Sequence, residues 1–434
     1  MNLPSVFLGE DYRLQLEDKS CTVAKSPQIT YRKSQYRGRF SFMPKVTQSE
    51  AYAQKRGGVG LTPVEPQLLD RIRQLVEIES PSDSKAAVDG CTEAVAEMAT
   101  TLGGRVQRHR QRDFGDVLEV RFVPAGRAAR KAAPLMLLGH LDTVWPLGTL
   151  AKMPYRSADG RVWGPGVLDM KAGVAMGLTA VEVLRGTEAL QRPVVFLLNS
   201  DEEVGSSVSR PITEKLAREC VAVFVLEPAQ GLAGAYKTAR KGVGGYTLRV
   251  TGVAAHAGVD FERGHSAVHE LAWQLEKVRG FTELDRGLTV NAGVIRGGTR
   301  TNVIAAEAEA EIDVRIARAK DAARIEKRFR GLRVRDRGCV LHLEGGMNRP
   351  PMERSRATVA LFRRAATLAA GMGFELAEAA TGGGSDGNFT AALGIPTLDG
   401  MGAVGEGAHA SHESVVLKDL VPRTMLLAEM IRTT

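Results

Sequence analysis

The chain is poor in cysteine and has no long apolar run. Its four cysteines, Cys21, Cys91, Cys220 and Cys339, are scattered over 434 residues without C-x-x-C spacing. This argues against a disulfide framework or a zinc ribbon and favours reduced thiols. No apolar run approaches the roughly 20 residues that a transmembrane helix needs, so we expect no membrane association. The N-terminus lacks the apolar segment and cleavage site of a signal peptide, and we expect a cytoplasmic protein.

The positive charge is concentrated at the N-terminus. The formal net charge is +8; residues 1–60 carry ten Lys or Arg and five Asp or Glu, so the other 374 residues carry only +3. No nucleic-acid-binding motif accompanies the basic segment, and we expect no nucleic-acid partner. Its polar composition without periodicity predicts that residues 1–62 form a basic, disordered extension. A basic arm that contacts a partner is the alternative.

Three short apolar runs each end in residues that can bind a metal ion or move a proton. They lead into His140-Leu141-Asp142, Asp201-Glu202-Glu203 and Glu227-Pro228. Such runs are typical of buried parallel strands, and ligands of open α/β sheets bind at the carboxyl ends of the strands. The sequence therefore predicts an α/β fold, a mostly parallel sheet flanked by helices, with an acidic, histidine-containing metal site at one edge.

The pattern changes at about Lys241. Residues 302–316 alternate between apolar and charged side chains, as a half-solvated strand does. The order of elements over residues 241–345, β-α-β-β-α-β, predicts a two-layer α+β domain. We interpret this domain as an insertion between two parts of a catalytic domain, residues 63–240 and 346–434.

The acidic motifs suggest a division of labour. Burying the adjacent Glu202 and Glu203 is costly, and it is explained if one binds a metal ion and the other acts on water as a general base. Asp142 can fix the tautomer of His140. Asp169 stands just before a predicted helix, where a simple N-cap is the alternative.

A second imidazole can come from either of two histidines, His409 or His412, and chemistry alone does not choose between them. Two histidines, three or four carboxylates and no cysteine ligand suit two divalent ions, with Zn²⁺ favoured and Co²⁺ or Mn²⁺ as alternatives. Two-metal sites of this kind activate water. The reaction class is hydrolysis.

Taken jointly, the motifs resemble the M20 family of zinc aminopeptidase-like hydrolases, and in particular its glutamate carboxypeptidase branch. The resemblance covers about residues 63–434. It rests on five segments: His140-Leu141-Asp142, Gly164-Pro165-Gly166 with Asp169-Met170-Lys171, Asp201-Glu202-Glu203, Leu226-Glu227-Pro228, and His409 with Glu413.

The resemblance implies a role for each residue of the site. It implies that Asp169 bridges two ions, that His140 and Glu227 hold one ion and Glu203 and His409 the other, that Glu202 is the general base and that Asp142 orients His140. It also implies a cis peptide bond after Asp169, and it favours His409 over His412.

The inserted domain resembles the lid of the family, which dimerises. The resemblance implies that His256 stabilises the oxyanion and that Asn302 and Arg315 hold the carboxylate of the substrate. Gly384 and Ser385 match a glycine-rich loop whose N–H groups meet that carboxylate.

We therefore expect a dizinc hydrolase that cleaves an amide bond next to a free carboxylate. It would be a carboxypeptidase that releases a C-terminal amino acid, with glutamate as the candidate, from small peptidyl or N-acyl substrates. The alternatives are an N-acyl-amino-acid deacylase or a dipeptidase of the same superfamily and, more remotely, a non-catalytic metal-binding scaffold. The presence of Glu202 beside Glu203 argues against the scaffold.

Overall fold

A computed structural model describes residues 64–434 of the chain. The predicted extension and Cys21 lie outside the described residues. The helices are α1 Val64–Val76, α2 Lys85–Thr101, α3 Arg127–Arg130, α4 Ala172–Gly186, α5 Arg210–Ala217, α6 Ala267–Arg279, α7 Lys320–Arg330, α8 Arg356–Gly371, α9 Gly387–Ala392 and α10 Leu417–Thr433. None of these helices combines the length and the apolar character that a membrane span requires.

Sixteen strands are distributed over four sheets of the described residues. They are β1 Arg105–His109, β2 Val117–Phe122, β3 Leu135–His140, β4 Arg156–Ala158, β5 Arg161–Trp163, β6 Val194–Asn199, β7 Val223–Val225, β8 Tyr236–Arg240, β9 Gly242–Thr251, β10 Thr289–Gly297, β11 Glu307–Ile316, β12 Val340–Arg349, β13 Glu378–Thr381, β14 Thr397–Leu398, β15 Gly405–Glu406 and β16 Ser414–Val416.

The largest sheet has the order β1-β2-β6-β3-β7-β14. Strands β6, β3, β7 and β14 are parallel. At one side, β2 pairs antiparallel with β6, and β1 pairs antiparallel with β2. Both faces of β3 are buried, since Leu135 and Leu137 belong to one apolar cluster and Met136 and Leu138 to another. Burial on both faces explains why the run is continuously apolar. The predicted α/β fold with a flanked, mostly parallel sheet is confirmed.

Residues 242–349 form an antiparallel sheet of order β10-β11-β9-β12, with helices α6 and α7. One face is buried: Leu248, Ala310 and Ile312 pack with Leu271 of α6 and with Phe329 of α7. The other face is charged and solvated, as the alternation of β11 predicts. The element order β-α-β-β-α-β agrees with the sequence analysis, and we keep the name lid for residues 241–345, whose boundaries stay a prediction.

The carboxyl ends of β3, β6 and β7 meet at one edge of the large sheet. His140 at the end of β3 pairs in register with Asn199 at the end of β6. Just beyond β7, the N–H of Leu226 donates to the main-chain oxygen of Leu138 at 2.9 Å. The motifs that follow these strands therefore begin side by side.

Candidate metal centre

His140 is held rigidly at the end of β3 and is only 2% exposed. Its Nδ1 lies 2.9 Å from the main-chain oxygen of Asp142 and 3.5 Å from the carboxylate oxygen Oδ1 of the same residue. The nearer main-chain oxygen is the principal partner that fixes the ring. Nε2 then points to Asp169, at 3.3 Å from Oδ1, and to Glu227, at 3.7 Å from Oε1.

The carboxylate of Asp142 organises the turn after β6. It is fully buried. It accepts hydrogen bonds from the hydroxyl of Ser82 at 2.7 Å and from the N–H groups of Glu202 and Glu203 at 3.2 and 3.1 Å. A single buried carboxylate thus joins the turn after β3 to the turn that carries both glutamates.

Asp169 lies between the two imidazoles of the site. Its Oδ1 is 3.3 Å from Nε2 of His140, and its Oδ2 is 3.4 Å from Nε2 of His409. The peptide bond to Met170 is cis. Asp169 has a non-helical backbone, with φ −115° and ψ 93°, and helix α4 begins only at Ala172. The two oxygens of one carboxylate therefore face different histidines, as in a carboxylate that bridges two ions.

Glu413 holds the segment of Asp169 in place. Its carboxylate is buried and accepts four hydrogen bonds: from the N–H groups of Gly166 and Leu168 at 2.8 Å, from the N–H of Asp169 at 3.0 Å and from Nε1 of Trp145 at 2.7 Å. Gly166 has φ +70°, a conformation that glycine adopts without a steric penalty. Glu413 is thus a positioning residue for the central aspartate.

Glu203 and His409 form the outer side of the cluster. Nε2 of His409 lies 3.4 Å from Oε2 of Glu203. Of the two histidines that compete in the sequence, His409 is therefore the one that reaches the carboxylates. Hydrogen bonds to Asp169 and Glu203 raise the pKa of His409 to about 10. These carboxylates hold a proton on the ring, and a bound metal cation would take the place of that proton.

Glu227 closes the cluster on the opposite side. Burial and the charge of Asp169 raise the pKa of Glu227 to about 7, against the opposing charge of Arg240. Arg240 lies 3.4 Å from Oε2 of Glu227 and makes a two-pronged ion pair with Asp399 at 2.8 and 2.7 Å. Arg240 is in turn fixed by Asp399, so Glu227 faces a rigid partner.

Glu202 points toward His140 and Glu227 but is tied to an arginine. Nη2 of Arg349 lies 2.8 Å from Oε1 of Glu202, 2.7 Å from the hydroxyl of Ser206 and 2.9 Å from Oδ1 of Asp386. Burial raises the pKa of Glu202 well above the usual range of a glutamate, and the charge of Arg349 opposes this rise.

The residues present fit a pair of divalent ions. Ligand atoms of His140, Glu202 and Glu227 lie within 4.8 Å of one another, and so do those of His140, Asp169 and Glu203. Oε1 of Glu203 is buried and has no hydrogen-bond partner. A buried polar atom needs a partner, and a metal ion bound to this oxygen would be one. Imidazole nitrogen and carboxylate oxygen are the donors that Zn²⁺, Co²⁺ and Mn²⁺ accept. The described cysteines, Cys91, Cys220 and Cys339, are buried free thiols.

The structure places the lid residues in two groups. His256 is exposed, and its Nδ1 accepts a hydrogen bond from the N–H of Gly258 at 3.1 Å. Asn302 is exposed nearby, and its main-chain oxygen accepts a hydrogen bond from the N–H of Ala257 at 3.0 Å. The partners of both residues lie in the lid, so these contacts do not join them to the metal cluster.

Arg315 connects the lid with the glycine-rich loop. Its Nε donates to Asp313 at 3.0 Å, and its Nη1 lies 3.5 Å from the main-chain oxygen of Gly382. In that loop, the oxygen of Gly384 accepts from Arg240 at 3.0 Å. Arg315 thus lies beside the loop that the sequence analysis associates with the substrate carboxylate.

Ser385 is bound within the protein. Its hydroxyl donates to Oδ2 of Asp399 at 2.6 Å, its N–H donates to Oδ1 of Asn388 at 3.1 Å, and its side chain is fully buried. In this arrangement, Ser385 supports the loop. Gly384 packs close to Arg349: a Cβ placed on Gly384 would lie 3.0 Å from Cδ of Arg349.

Sequence reasoning gave no roles to the charged residues around the ligands. These are Arg240, Arg349, Asp386 and Asp399, all buried and all in ion pairs. The partners of the pair Arg240–Asp399 are 159 residues apart. No local pattern marks such a pair.

Comparisons with known proteins agree with this site. A model of the peptidase family M20/M25/M40 matches residues 136–433. The chain is similar to carboxypeptidase G2 from Pseudomonas sp. (strain RS-16), at 27% identity over 87% of this chain and 92% of that protein. It is also similar to a succinyl-diaminopimelate desuccinylase from Paracidovorax citrulli, at 30% identity over 77% of this chain and 90% of that protein.

A solved structure shows the same fold. An M20 family metallo-carboxypeptidase from Sulfolobus solfataricus superposes with a TM-score of 0.69 at 16% identity, over 84% of this chain and 98% of that one. The matched residues 136–433 include strands β6, β7 and β14 of the large sheet and the whole antiparallel sheet of residues 242–349. On these grounds, the chain belongs to peptidase family M20 and is a metallohydrolase.

Proposed function

We propose that the protein is a two-metal carboxypeptidase. It would hydrolyse the amide bond that joins a peptidyl or N-acyl group to a C-terminal amino acid with a free carboxylate, with glutamate as the first candidate. The observation that carries this proposal is the position of Asp169, whose two oxygens lie 3.3 and 3.4 Å from Nε2 of His140 and of His409.

The ligand sets follow from this geometry. His140 and Glu227 would hold one ion, Glu203 and His409 the other, and Asp169 would contact both. Zn²⁺ is the candidate metal, with Co²⁺ and Mn²⁺ as alternatives. When bound, such a pair supplies Lewis acidity, which polarises a carbonyl group and makes water more acidic.

Glu202 is the carboxylate of the cluster that belongs to neither of these two ligand sets. It would take a proton from water as the water oxygen attacks the carbonyl carbon, and it would return that proton to the nitrogen of the leaving amino acid. Asp142 fixes the N–H groups of Glu202 and Glu203, so the base and the ligand beside it keep a constant spacing. Arg349 fixes the Glu202 carboxylate itself.

The lid supports recognition of a carboxylate. The planar fork of Arg315 can bind a carboxylate through two donors, and it lies beside Gly382 of the glycine-rich loop. Asn302 would add an amide donor, and the loop at Gly384 and Ser385 would border the bound amino acid. His256 would stabilise the oxyanion of the attacked carbonyl group. His256 and Asn302 are exposed on the lid. Their proposed roles therefore require that the surface of the lid that carries them contacts a substrate bound at a metal centre.

The deciding experiment is a hydrolysis assay with metal analysis of the same sample. Purified full-length protein is incubated with N-acyl and peptidyl glutamates, and released amino acids are identified by mass spectrometry. We expect release of the C-terminal amino acid by the native protein and loss of turnover in Glu202→Gln with unchanged metal content. Near-normal turnover of Glu202→Gln would remove Glu202 from the role of base.

A second candidate is an N-acyl-amino-acid deacylase. It is favoured by the similarity to a desuccinylase over 77% of this chain. Both candidates share the site and differ in the leaving amine. A substrate panel distinguishes them: a deacylase releases the amino acid from short acyl groups and leaves peptides intact.

We also propose that the protein forms a homodimer through its lid. Strand β10 is an edge strand, and it exposes Val294 and Ile295, which are 37% and 60% accessible. Edge strands with exposed apolar side chains favour pairing with another chain. Val268 at the start of α6 is 39% exposed and lies within 3.0 Å of a Cβ placed on Gly297 of that strand, which extends the apolar surface.

Analytical ultracentrifugation tests the dimer. Ile295→Asp should give a monomer, while Val340→Asp, at a 53% exposed site on the opposite edge strand β12, should leave the native mass unchanged. A native protein that sediments as a monomer at micromolar concentration would contradict the proposal.

A further inference from the structure

The lid carries a local concentration of positive charge. Residues 327–337, which run from the end of α7 into the following loop, contain six Lys or Arg and one Asp, a net charge of +5. Residues 61–434 as a whole carry only +3, so all other residues of that range together carry −2. A cluster of one charge sign attracts partners of the opposite sign.

Four of these six cations have no carboxylate partner within the described part of the chain. Arg328 pairs with Glu283 at 2.8 Å. Arg330 pairs with Glu326 at 2.6 Å. No carboxylate of residues 64–434 pairs with the remaining four, all of them exposed: Lys327, Arg333, Arg335 and Arg337. The positive charge of this segment is therefore not neutralised within the lid.

An open groove with an apolar floor lies beside this segment. Its volume is about 470 Å³, within the range of about 300–1,000 Å³ that is usual for ligand sites. Four apolar side chains and two arginines line it: Phe329, Leu332, Leu341 and Leu343, with Arg330 and Arg333. Nη1 of Arg333 donates to the main-chain oxygens of Arg330 and Leu332 at 2.8 and 2.7 Å. One of the unpaired cations is thus fixed at the groove.

The groove exists because the lid sheet ends there. Leu343 of β12 pairs in register with Leu248 of β9, and both side chains pack into the apolar core beneath α6 and α7. Leu248 is completely buried, but Leu343 is only partly buried. In the sheet order β10-β11-β9-β12, β12 is the last strand, so no further strand of the described residues covers its outer side.

The free edge of β12 suits the binding of an extended chain. An edge strand presents main-chain N–H and C=O groups that can pair with another strand. Peptides that add to a sheet in this way gain affinity from main-chain hydrogen bonds and specificity from pockets that receive alternate side chains. Beside the edge of β12, Leu341 and Leu343 line one groove and lie two residues apart, on the same face of the strand.

We propose that the groove between α7 and β12 is a docking site for an extended acidic segment of a partner protein. The segment adds to the lid sheet beside β12, its alternate apolar side chains enter the groove, and its carboxylates face Arg333 and the other unpaired cations. Charge complementarity selects this occupant. Residues 1–60 of this chain, with a net charge of +5, would be repelled, and so would β12 of a second copy, which carries the same basic segment.

Fluorescence anisotropy with labelled peptides tests the docking site. Native full-length protein is titrated into a heptapeptide that alternates glutamate with leucine and is blocked at both ends, so that it offers no free C-terminal carboxylate. We expect this peptide to bind. The same peptide with lysine in place of glutamate should bind about a hundredfold more weakly, because like charges meet at the groove. Equal binding of the two peptides, or no binding of the acidic one, would overturn the inference.

Methylation of single peptide nitrogens tests the addition of a strand. Of two successive N–H groups in an extended chain, only one faces the neighbouring strand. N-methylation of the central leucine or of the glutamate beside it should therefore weaken binding by about tenfold at one of the two positions and little at the other. Unchanged binding of both methylated peptides would contradict pairing with β12.

A charge reversal tests the assignment to the groove. Arg333→Glu should weaken binding of the acidic peptide by about tenfold or more, because a fixed cation is lost and a carboxylate is added. Arg218→Glu is the matched control, since Arg218 follows α5, is exposed and has no carboxylate partner among residues 64–434. It changes the net charge equally and should keep the native affinity. Equal losses in the two variants would mean that net charge, not the groove, attracts the peptide.

Hydrogen exchange locates the bound peptide without any substitution. Amide exchange over residues 340–345 should slow in the complex, while that of β10, at the opposite edge of the same sheet, should stay the same. Slower exchange in β10 alone would overturn the inference. A labelled single-stranded oligonucleotide tests another class of anionic partner, one that can meet the cations but cannot extend a sheet. We expect it to bind more weakly than the acidic peptide, and tighter binding would also overturn the inference.

Discussion

Nη2 of Arg349 lies 2.8 Å from Oε1 of Glu202 and 3.0 Å from the main-chain oxygen of the same residue. Arg349 is the last residue of β12 and pairs with Val243 of β9, so it ends the lid sheet. The preceding residue, Asn348, donates to the oxygen of Gly205 at 3.0 Å. The last strand of the lid is thus anchored to the turn that carries the base, and the positions of lid and base are coupled.

Replacement of Arg349 should reduce kcat far more than it raises KM. In Arg349→Ala, the Glu202 carboxylate loses its fixed partner and Asp386 is left buried without its cation, which costs about 3 kcal/mol of stability or more. We expect kcat to fall by about a hundredfold, and Arg349→Lys to restore part of it. Steady-state kinetics and denaturant unfolding measure both effects.

Arg210→Ala is the matched control for this variant. The guanidinium groups of Arg210 and Arg349 both lie over the ring of Phe389. Arg210 donates to the main-chain oxygen of Asn348 at 3.1 Å, but its partners do not include Glu202. Its kcat should stay within about twofold of the native value, because Arg210 is partly exposed and its ion partner is Glu214, and such a pair near the surface contributes little. Equal losses in both variants would show that Arg349 acts only on stability.

Replacement of Glu413 should weaken metal binding without removing a ligand. In Glu413→Gln, the amide NH₂ faces N–H donors that now lack an acceptor, and the segment of Asp169 loses part of its support. Residues that orient ligands typically contribute tenfold to a hundredfold to metal affinity, and we expect a loss of about that size. Titration of the metal-free protein with Zn²⁺ measures it. Glu406→Gln, at an exposed carboxylate paired with Arg161, should keep native affinity; an unchanged affinity in Glu413→Gln would contradict its positioning role.

The convergence of the ligands could be predicted because it follows from topology. Continuous apolar runs identify buried parallel strands, and parallel strands share an edge, so His140, Glu203 and Glu227 had to lie close together. Asp169 is different. Its non-helical backbone delays the start of α4 to Ala172. Its orientation depends on three hydrogen bonds from its own segment to Glu413, which is 244 residues away in sequence.

The charged surroundings of the site could not be predicted in the same way. Arg240 and Arg349 each lie on strands that read as ordinary amphipathic segments, and their partners Asp399 and Asp386 are distant or lie in loops. Whether such a residue is solvated or buried depends on tertiary packing, to which a single sequence gives no direct access.

Removal of the metal should destabilise the protein as well as inactivate it. Without a cation, the carboxylates of Asp169, Glu203 and Glu227 share a largely buried site with two histidines. Ions at a hundred times their dissociation constant would stabilise the native state by about 2.7 kcal/mol per site. Dialysis against a chelator should therefore abolish turnover and lower Tm, and Zn²⁺ should restore both. Full activity of protein shown by elemental analysis to be metal-free would disprove the metal-dependent mechanism.

Acid should destabilise the lid through Asp321. This carboxylate is inaccessible to solvent, and its Oδ1 lies 2.6 Å from Nη2 of Arg286 and 3.4 Å from Nη2 of Arg324. Burial acts to raise the pKa of Asp321, but the bond to Arg286 and the surrounding positive charges outweigh it, so that the pKa lies below its usual value. A lowered pKa stabilises the folded state above the unfolded pKa of about 4, and this stabilisation is lost as the pH falls through the folded pKa.

Urea unfolding should therefore show Asp321→Asn to be less stable than the native protein at about pH 7, with the difference shrinking toward about pH 3. Asp285→Asn, at an exposed position beside Arg286, should show a much smaller difference, and a difference for Asp321→Asn that is constant with pH would mean that packing, not charge, is lost.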